Sequence, residues 1–212
     1  MTVLAEEWIP RARRLAEELV SAGKLSSAQW REALCAVPRH ELVPDVLRRD
    51  PDGSWHRLDN TTDQGRREWL NQVYSNTTLL TAVADRSESR SLRSSSSMPG
   101  LMTRMLEALD VHDGHRVLEI GTGTGYNAAL LAHRLGSANV FSIDIEHDLI
   151  DLARQRLGRI GYHPALVAAD GADGLPEHAP FDRVIATCAV PAVPWAWIEQ
   201  TRPGGVIITD LK

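Results

Sequence analysis

Arg116-Val-Leu-Glu-Ile-Gly-Thr-Gly-Thr-Gly-Tyr-Asn127 joins an apolar run to three glycines on alternate positions. Val117, Leu118 and Ile120 read as a strand of a parallel sheet, where both faces are covered and polar alternation disappears. Gly121, Gly123 and Gly125 break the run, and a helical pattern starts at Asn127-Ala-Ala-Leu-Leu-Ala-His-Arg-Leu135. Strand, glycine turn and helix in this order form the nucleotide-binding corner of a doubly wound α/β domain. Glycine is needed there because the backbone turns sharply and a ligand approaches where a Cβ would stand.

Downstream, the alternation of strand and helix continues. Asn139–Asp144 reads as the second strand, with a helix over Asp148–Ile160 closed by Gly161. Pro164–Asp170 is the third strand, Phe181–Thr187 the fourth, Trp195–Thr201 a short helix and Val206–Asp210 the fifth strand. This rhythm predicts a mainly parallel sheet with right-handed crossovers. Upstream, Glu6 to about Val20 has helical spacing (Trp8, Leu15, Ala16, Leu19), and Gly23 is its stop. Ser26 or Ser27 caps a second helix through Trp30 and Leu34. Val37-Pro-Arg-His-Glu-Leu-Val-Pro44, with prolines six apart, reads as an extended connector. Asp50–Gly65 is polar with a turn at Asp50-Pro-Asp-Gly53, and Tyr74–Leu80 suggests a short strand or hairpin arm. Asp85–Ser97 is rich in serine and arginine, and composition assigns it to a surface loop. Met98-Pro99 opens a further helix to Leu109. The expected division is an N-terminal helical and substrate-side region, 1–97, and a ligand-binding α/β domain, 98–212.

The residues of the turn narrow the ligand. A dinucleotide fingerprint wants a small residue three positions after the second glycine, and Tyr126 stands there. A phosphate-cradling P-loop needs a lysine, and the turn has none. Instead Glu119 lies two residues before Gly121, an acid suited to a cation and wrong for a pyrophosphate. The pattern Glu119-x-Gly121-x-Gly123-x-Gly125 resembles the first motif of the S-adenosylmethionine (SAM)-dependent methyltransferases, whose donor carries an ammonium and a sulfonium and no phosphate. Two more acids close strands. Asp144 ends the second, about twenty residues after the turn, where a carboxylate can take both ribose hydroxyls. Asp170 ends the third and precedes Gly171, a spacing suited to an adenine amino group. Each acid alone could be a helix cap; three at successive strand ends point to SAM. The candidate cofactor residues are Glu119, Gly121, Thr122, Gly123, Gly125, Asp144, Ile145, Asp170 and Gly171.

Composition excludes several classes. The net charge of −5 argues against a broad nucleic-acid-binding face, so no nucleic-acid partner is expected. No apolar run approaches the roughly 18 residues of a membrane span, and the N-terminus lacks the cationic start of a secretory signal. Cys35 and Cys188 are too few for a disulfide framework or a metal cage, so a cytoplasmic protein without a metal is expected. Thr187-Cys-Ala-Val-Pro191 stands where base-methylating enzymes carry Asn/Asp-Pro-Pro-Tyr/Phe.

Further segments carry a narrower resemblance. Val37-Pro-Arg-His-Glu-Leu-Val-Pro44 is similar to a Val-Pro-Arg-Glu-x-Phe-Val-Pro segment, and Ala169-Asp-Gly-Ala-Asp-Gly174 with Ala179-Pro-Phe-Asp182 to a Gly-Asp-Gly…Ala-Pro-Tyr-Asp run. Pro191-Ala-Val-Pro194, Gln200 and Pro203-Gly-Gly205 follow at matching spacing. Over roughly Ser26 to Thr209 the chain thus resembles the protein-L-isoaspartate O-methyltransferases. The resemblance implies a Rossmann-like methyltransferase fold and a protein or peptide partner bearing an aspartyl or isoaspartyl carboxylate, methylated so that a succinimide can form. The family's Thr-x-Ser-x-Pro signature falls on Ser95-Ser-Ser97-Met-Pro99, which implies that Ser97 contacts the substrate carboxylate and Ser95 replaces the threonine. The glycine- and glutamine-containing segment before that signature is replaced by Ser87-Glu-Ser-Arg-Ser-Leu-Arg93. A divergent branch that methylates aspartate in ribosomally made peptides is a close competitor, and a non-catalytic binding module a more distant one. Such sheets usually carry two further strands, which this chain lacks after Thr209-Asp-Leu-Lys212. The fifth strand is therefore expected to be an open edge, left by truncation or paired in a homo-oligomer.

Overall fold

A computed structural model of the protein describes residues 2–58, 60–86 and 89–212. Helix α1 (Thr2–Ser21) buries Ala12, Leu15, Ala16 and Leu19, the spacing of a helix with one covered stripe. Helix α2 (Ala28–Ala36) is capped by Ser27, whose hydroxyl accepts from the Trp30 N–H at 3.3 Å, and it packs on α1.

The segment expected to be an extended connector contains a helical turn, α3 (Arg39–Leu42), with Arg39, His40 and Leu42 buried. Pro38 occupies its N-cap, where a missing N–H costs nothing, and Pro44 lies beyond its end. The prolines therefore bracket the turn and do not prevent it. Next come β1 (Leu47–Arg49), β2 (Trp55–Arg57), α4 (Asp63–Val73), β3 (Leu79–Arg86) and β4 (Ser89–Ser96). The four strands form an antiparallel sheet in the order β2-β1-β3-β4. The serine- and arginine-rich run assigned to a loop is thus mostly strand β4; its Ser87 and Glu88 lie outside the described residues. Composition measures how much apolar area a segment can bury. It does not register that β3 satisfies the backbone of β4, or that Ser94 and Ser96 are buried.

The second layer follows with α5 (Pro99–Ala108), β5 (Val117–Ile120), α6 (Tyr126–Leu135), β6 (Val140–Asp144), α7 (His147–Arg159), β7 (Ala165–Ala168), β8 (Phe181–Val190), α8 (Trp195–Glu199) and β9 (Thr201–Leu211). Its sheet runs β7-β6-β5-β8-β9 with every pair parallel. The first of these strands is central, and the winding reverses beside it, between β5 and β8. A crevice opens at such a switch point, outside the carboxyl ends of the strands. Ile120 is level with Ile143 on one side and Ala186 on the other, so β5 and β6 end almost together while β8 runs four residues further along the rim. Val117 packs into a core with Leu130, Leu131 and Val140, whereas Leu118 packs on the opposite face with Ile143, Phe181 and Trp197. Alternate residues of β5 thus hold both faces of the sheet, as the apolar run implied. Among the described residues no helix is long and apolar enough to cross a membrane.

Candidate functional site

The turn after β5 takes its shape from glycine. Gly121 has φ +92°, and a Cβ there would lie 2.8 Å from Thr187 Oγ1. Thr187 uses that space to donate its hydroxyl to the Gly121 carbonyl at 2.7 Å, tying the turn to β8. On the other side the N–H groups of Gly121 and Thr122 donate to the Ile143 carbonyl at 2.8 and 3.1 Å. Asp144 completes the clamp: its Oδ2 accepts from the Gly123 N–H and its Oδ1 from the Glu146 N–H at 3.1 Å. Gly125 faces away from the ligand side, with α7 so close that a Cβ would stand 3.2 Å from Leu157 Cδ1.

Above this turn lies a cleft of about 520 Å³, within the range of small-molecule sites. Of the residues expected to hold a cofactor, Gly121, Gly123, Asp144, Ile145, Asp170 and Gly171 line it. Ser95 and Ser97 line it from the direction of β4, so the two sheets meet across it. Among the described residues neither lysine nor arginine belongs to this wall, and neither does histidine. With two carboxylates and no basic side chain among its described residues, the cleft is suited to a cation and unsuited to a phosphate. Among the described residues no group of His, Cys, Asp and Glu could hold a metal ion.

Glu119, Thr122 and Gly125 are placed differently from the expectation that they line the ligand site. Glu119 is fully buried beneath the turn; Oε1 accepts from Asn127 Nδ2 at 2.8 Å and Oε2 from Ser142 Oγ at 2.5 Å. Thr122 Oγ1 lies 2.6 Å from Ser142 Oγ and extends this network. Glu119 and Thr122 border a narrow space of about 40 Å³ beside the main cleft, shared with Ser95, Ser97, Tyr126 and Asn127. Burial raises the Glu119 carboxyl to about 7, outweighing the two hydrogen bonds that favour its ionised form. Asn127 Oδ1, in the same wall, is a buried acceptor without a protein partner.

The loop after β7 is held from outside. Asp170 Oδ1 accepts from the Ala172 N–H at 2.9 Å. Trp197 Nε1 donates to the Gly171 carbonyl at 2.7 Å. Gln200 accepts from the Leu175 N–H at 2.6 Å and donates to the Asp173 carbonyl at 2.8 Å. Gly174, at φ +65°, has no room for a Cβ beside Gln200 Oε1. Gln200 was visible as a matched position in the sequence, but its task of bracing this loop, shared with Trp197, was not.

Arg39 was missed altogether. It is fully buried, and its Nη2 donates to Ser96 Oγ and to the Ser97 carbonyl, both at 3.1 Å. The signal was present in Val37-Pro-Arg-His, although nothing local in that segment says where its arginine goes. His40 and His133, given no role in the sequence, sit in packing positions. His40 is buried among Trp8, Trp69 and Tyr74, with Nδ1 2.8 Å from the Tyr74 hydroxyl, and His133 Nδ1 lies 2.7 Å from the Tyr162 hydroxyl.

Comparison with known proteins agrees with this arrangement. The model of the family described as Protein-L-isoaspartate(D-aspartate) O-methyltransferase matches residues 59–212. A protein-L-isoaspartate O-methyltransferase of Methanopyrus kandleri is 34% identical over 202 residues, covering 93% of this chain and 76% of the relative. One from Hyperthermus butylicus is 32% identical over 217 residues, covering 97% and 77% respectively. Among solved structures, a protein-L-isoaspartate O-methyltransferase superposes with a TM-score of 0.72 at 29% identity over 93% of this chain. The chain spans about half of that solved chain, 54%. A Plasmodium falciparum structure crystallised with S-adenosyl-L-homocysteine superposes with a TM-score of 0.67, covering 94% of this chain and 84% of its own; at 14% identity this is a likeness of fold.

Proposed function

This chain belongs to the protein-L-isoaspartate O-methyltransferase family, and on that premise we propose that it transfers a methyl group from SAM to the side-chain or main-chain carboxylate of an isoaspartyl residue in a protein or peptide. The observation that carries the reading is the cleft itself, lined by carboxylates, without a basic side chain among its described residues and bounded on one side by serines. SAM fits it on three counts. Asp144 and Asp170 match a cationic ligand, and Gly121 and Gly123 border the cleft with backbone alone. Beside the cleft, in the narrow space that adjoins it, the unpartnered Asn127 Oδ1 can accept from a donor on the ligand.

In this arrangement Asp144 takes the ribose hydroxyls with the lone pairs it does not use on Gly123 and Glu146. Asp170 and the backbone around Gly171 take the adenine edge, and Ile145 lies against the base. Glu119 acts through the turn, holding Asn127 and the Ser142–Thr122 pair in place. The bound donor supplies an electrophilic methyl on a sulfonium, with a neutral thioether as leaving group. The nucleophile, a substrate carboxylate of pKa near 4, is already ionised at neutral pH. No general base is needed, which agrees with a cleft lined by no histidine. What remains for the chain is to align the carboxylate oxygen and exclude water. Ser97 orients that carboxylate by donating its hydroxyl, and Ser95 lies beside it on the same wall.

The reading is tested by methyl transfer from labelled SAM to an isoaspartyl peptide and to its aspartyl twin. Labelling of the isoaspartyl peptide is expected; labelling of the aspartyl peptide alone would favour the peptide-tailoring branch, and labelling of neither would remove the activity.

A further inference from the structure

Arg39 carries a charge that the fold alone does not explain. Nη1 donates to the Val73 and Ser75 carbonyls at 2.8 and 3.3 Å, and Nη2 to Ser96 Oγ and the Ser97 carbonyl. Every one of these acceptors is neutral. Nε is buried without a partner, and among the described residues Arg39 makes no ion pair. Its guanidinium lies over the Tyr126 ring, 5.0 Å from the centroid. A buried cation without a counterion costs several kcal/mol, and a neutral side chain could tie the same loops together.

The position of that charge is informative. Ser96, Ser97 and Tyr126 all border the narrow space that adjoins the main cleft, and Arg39 contacts each of them from behind. Ser97, which the proposed function assigns to the substrate carboxylate, is part of this wall and also lines the main cleft. In a buried setting the field of a guanidinium passes such a wall with little screening.

We propose that Arg39 is the countercharge of the substrate carboxylate, acting through Ser96 and Ser97 without touching it, as a positioning and specificity residue. The inference rests on the reading of Ser97 above. The missing counterion of Arg39 is then the substrate itself, which explains how an acid-lined cleft accepts an anion beside a cationic donor.

The test compares an isoaspartyl peptide with its isoasparaginyl twin, in which a neutral amide replaces the carboxylate. Both are measured as inhibitors of methyl transfer and as ligands of the protein saturated with S-adenosylhomocysteine. The wild-type protein should prefer the acid. In Arg39→Gln the ratio of acid to amide affinity should fall about tenfold or more, while Arg39→Lys keeps most of it. A structural tie alone would weaken both peptides equally, and an unchanged ratio or an equal loss overturns the proposal. Should Arg39→Gln not fold, Ser96→Asp sets an internal carboxylate against the guanidinium and should abolish the preference; a preference that survives overturns the proposal too. A wild-type protein indifferent to acid and amide refutes the carboxylate reading of Ser97 and takes this inference with it.

Discussion

The Asp144 carboxylate accepts the backbone N–H of Gly123 at 2.8 Å, so the last residue of β6 and the middle glycine of the turn form one piece. Hydrogen bonds to an ionised acceptor are among the stronger ones in proteins. The acid that faces the cleft is therefore also the acid that shapes its floor.

Asp144→Ala should consequently weaken SAM binding by about tenfold to a hundredfold, from lost ribose contacts and a loosened turn together. Calorimetry with S-adenosylhomocysteine measures this directly. Affinity unchanged from wild type would show that Asp144 shapes the turn without touching the ligand.

Ser97→Ala should do the reverse. Ser97 lines the cleft from the β4 side and is assigned to the acceptor, so cofactor affinity should stay within about twofold while turnover falls about tenfold, the worth of one orienting hydrogen bond. Loss of cofactor affinity instead would move Ser97 to the other half of the site.

Glu119 predicts a pH dependence of stability in the ligand-free protein. Burial raises its carboxyl from an ordinary 4.5 to about 7, so between those values the folded chain holds a proton that the unfolded chain has released. The contribution is fully present below about pH 4.5 and is lost as pH rises through about 7, an effect of order 3 kcal/mol. Glu119→Gln removes it and keeps the hydrogen-bonding shape. Relative to wild type, the melting temperature of the variant should rise by roughly 5–10 °C between pH 5 and pH 8. A difference that stays constant across that range would place the titration elsewhere.

Gln200→Leu should destabilise the loop after β7. It strands the Leu175 N–H and the Asp173 carbonyl, both satisfied by this one side chain. Two orphaned backbone groups cost about 2–4 kcal/mol, visible as a lower midpoint in urea. Because the same loop carries Asp170 and Gly171, cofactor affinity should fall with it.

How much of this was legible in advance differs by element. The five-strand α/β half was readable because a buried parallel strand and its glycine turn are written in adjacent residues, as at Val117–Gly125. The acids at its rim were readable for much the same reason: Asp144 ends β6 in space as in the sequence, and Asp170 stands two residues beyond the end of β7, where the chain is still at the rim. The small sheet was not. Strand β4 is a strand because β3 pairs with it, and the buried hydroxyl of its Ser96 is satisfied by Arg39, far away in the chain.

From its sequence alone, then, this protein could be assigned a doubly wound sheet, a cationic methyl donor at the triple-glycine turn, and a serine signature for the acceptor. Only the tertiary structure decided which acids face the cleft, sending Asp144 and Asp170 into its wall and Glu119 beneath its floor. It also revealed the buried guanidinium behind Ser97. Local patterns record what a residue does to its own stretch of backbone, whereas burial, charge compensation and the partner of a hydrogen bond depend on which distant segments fold against it.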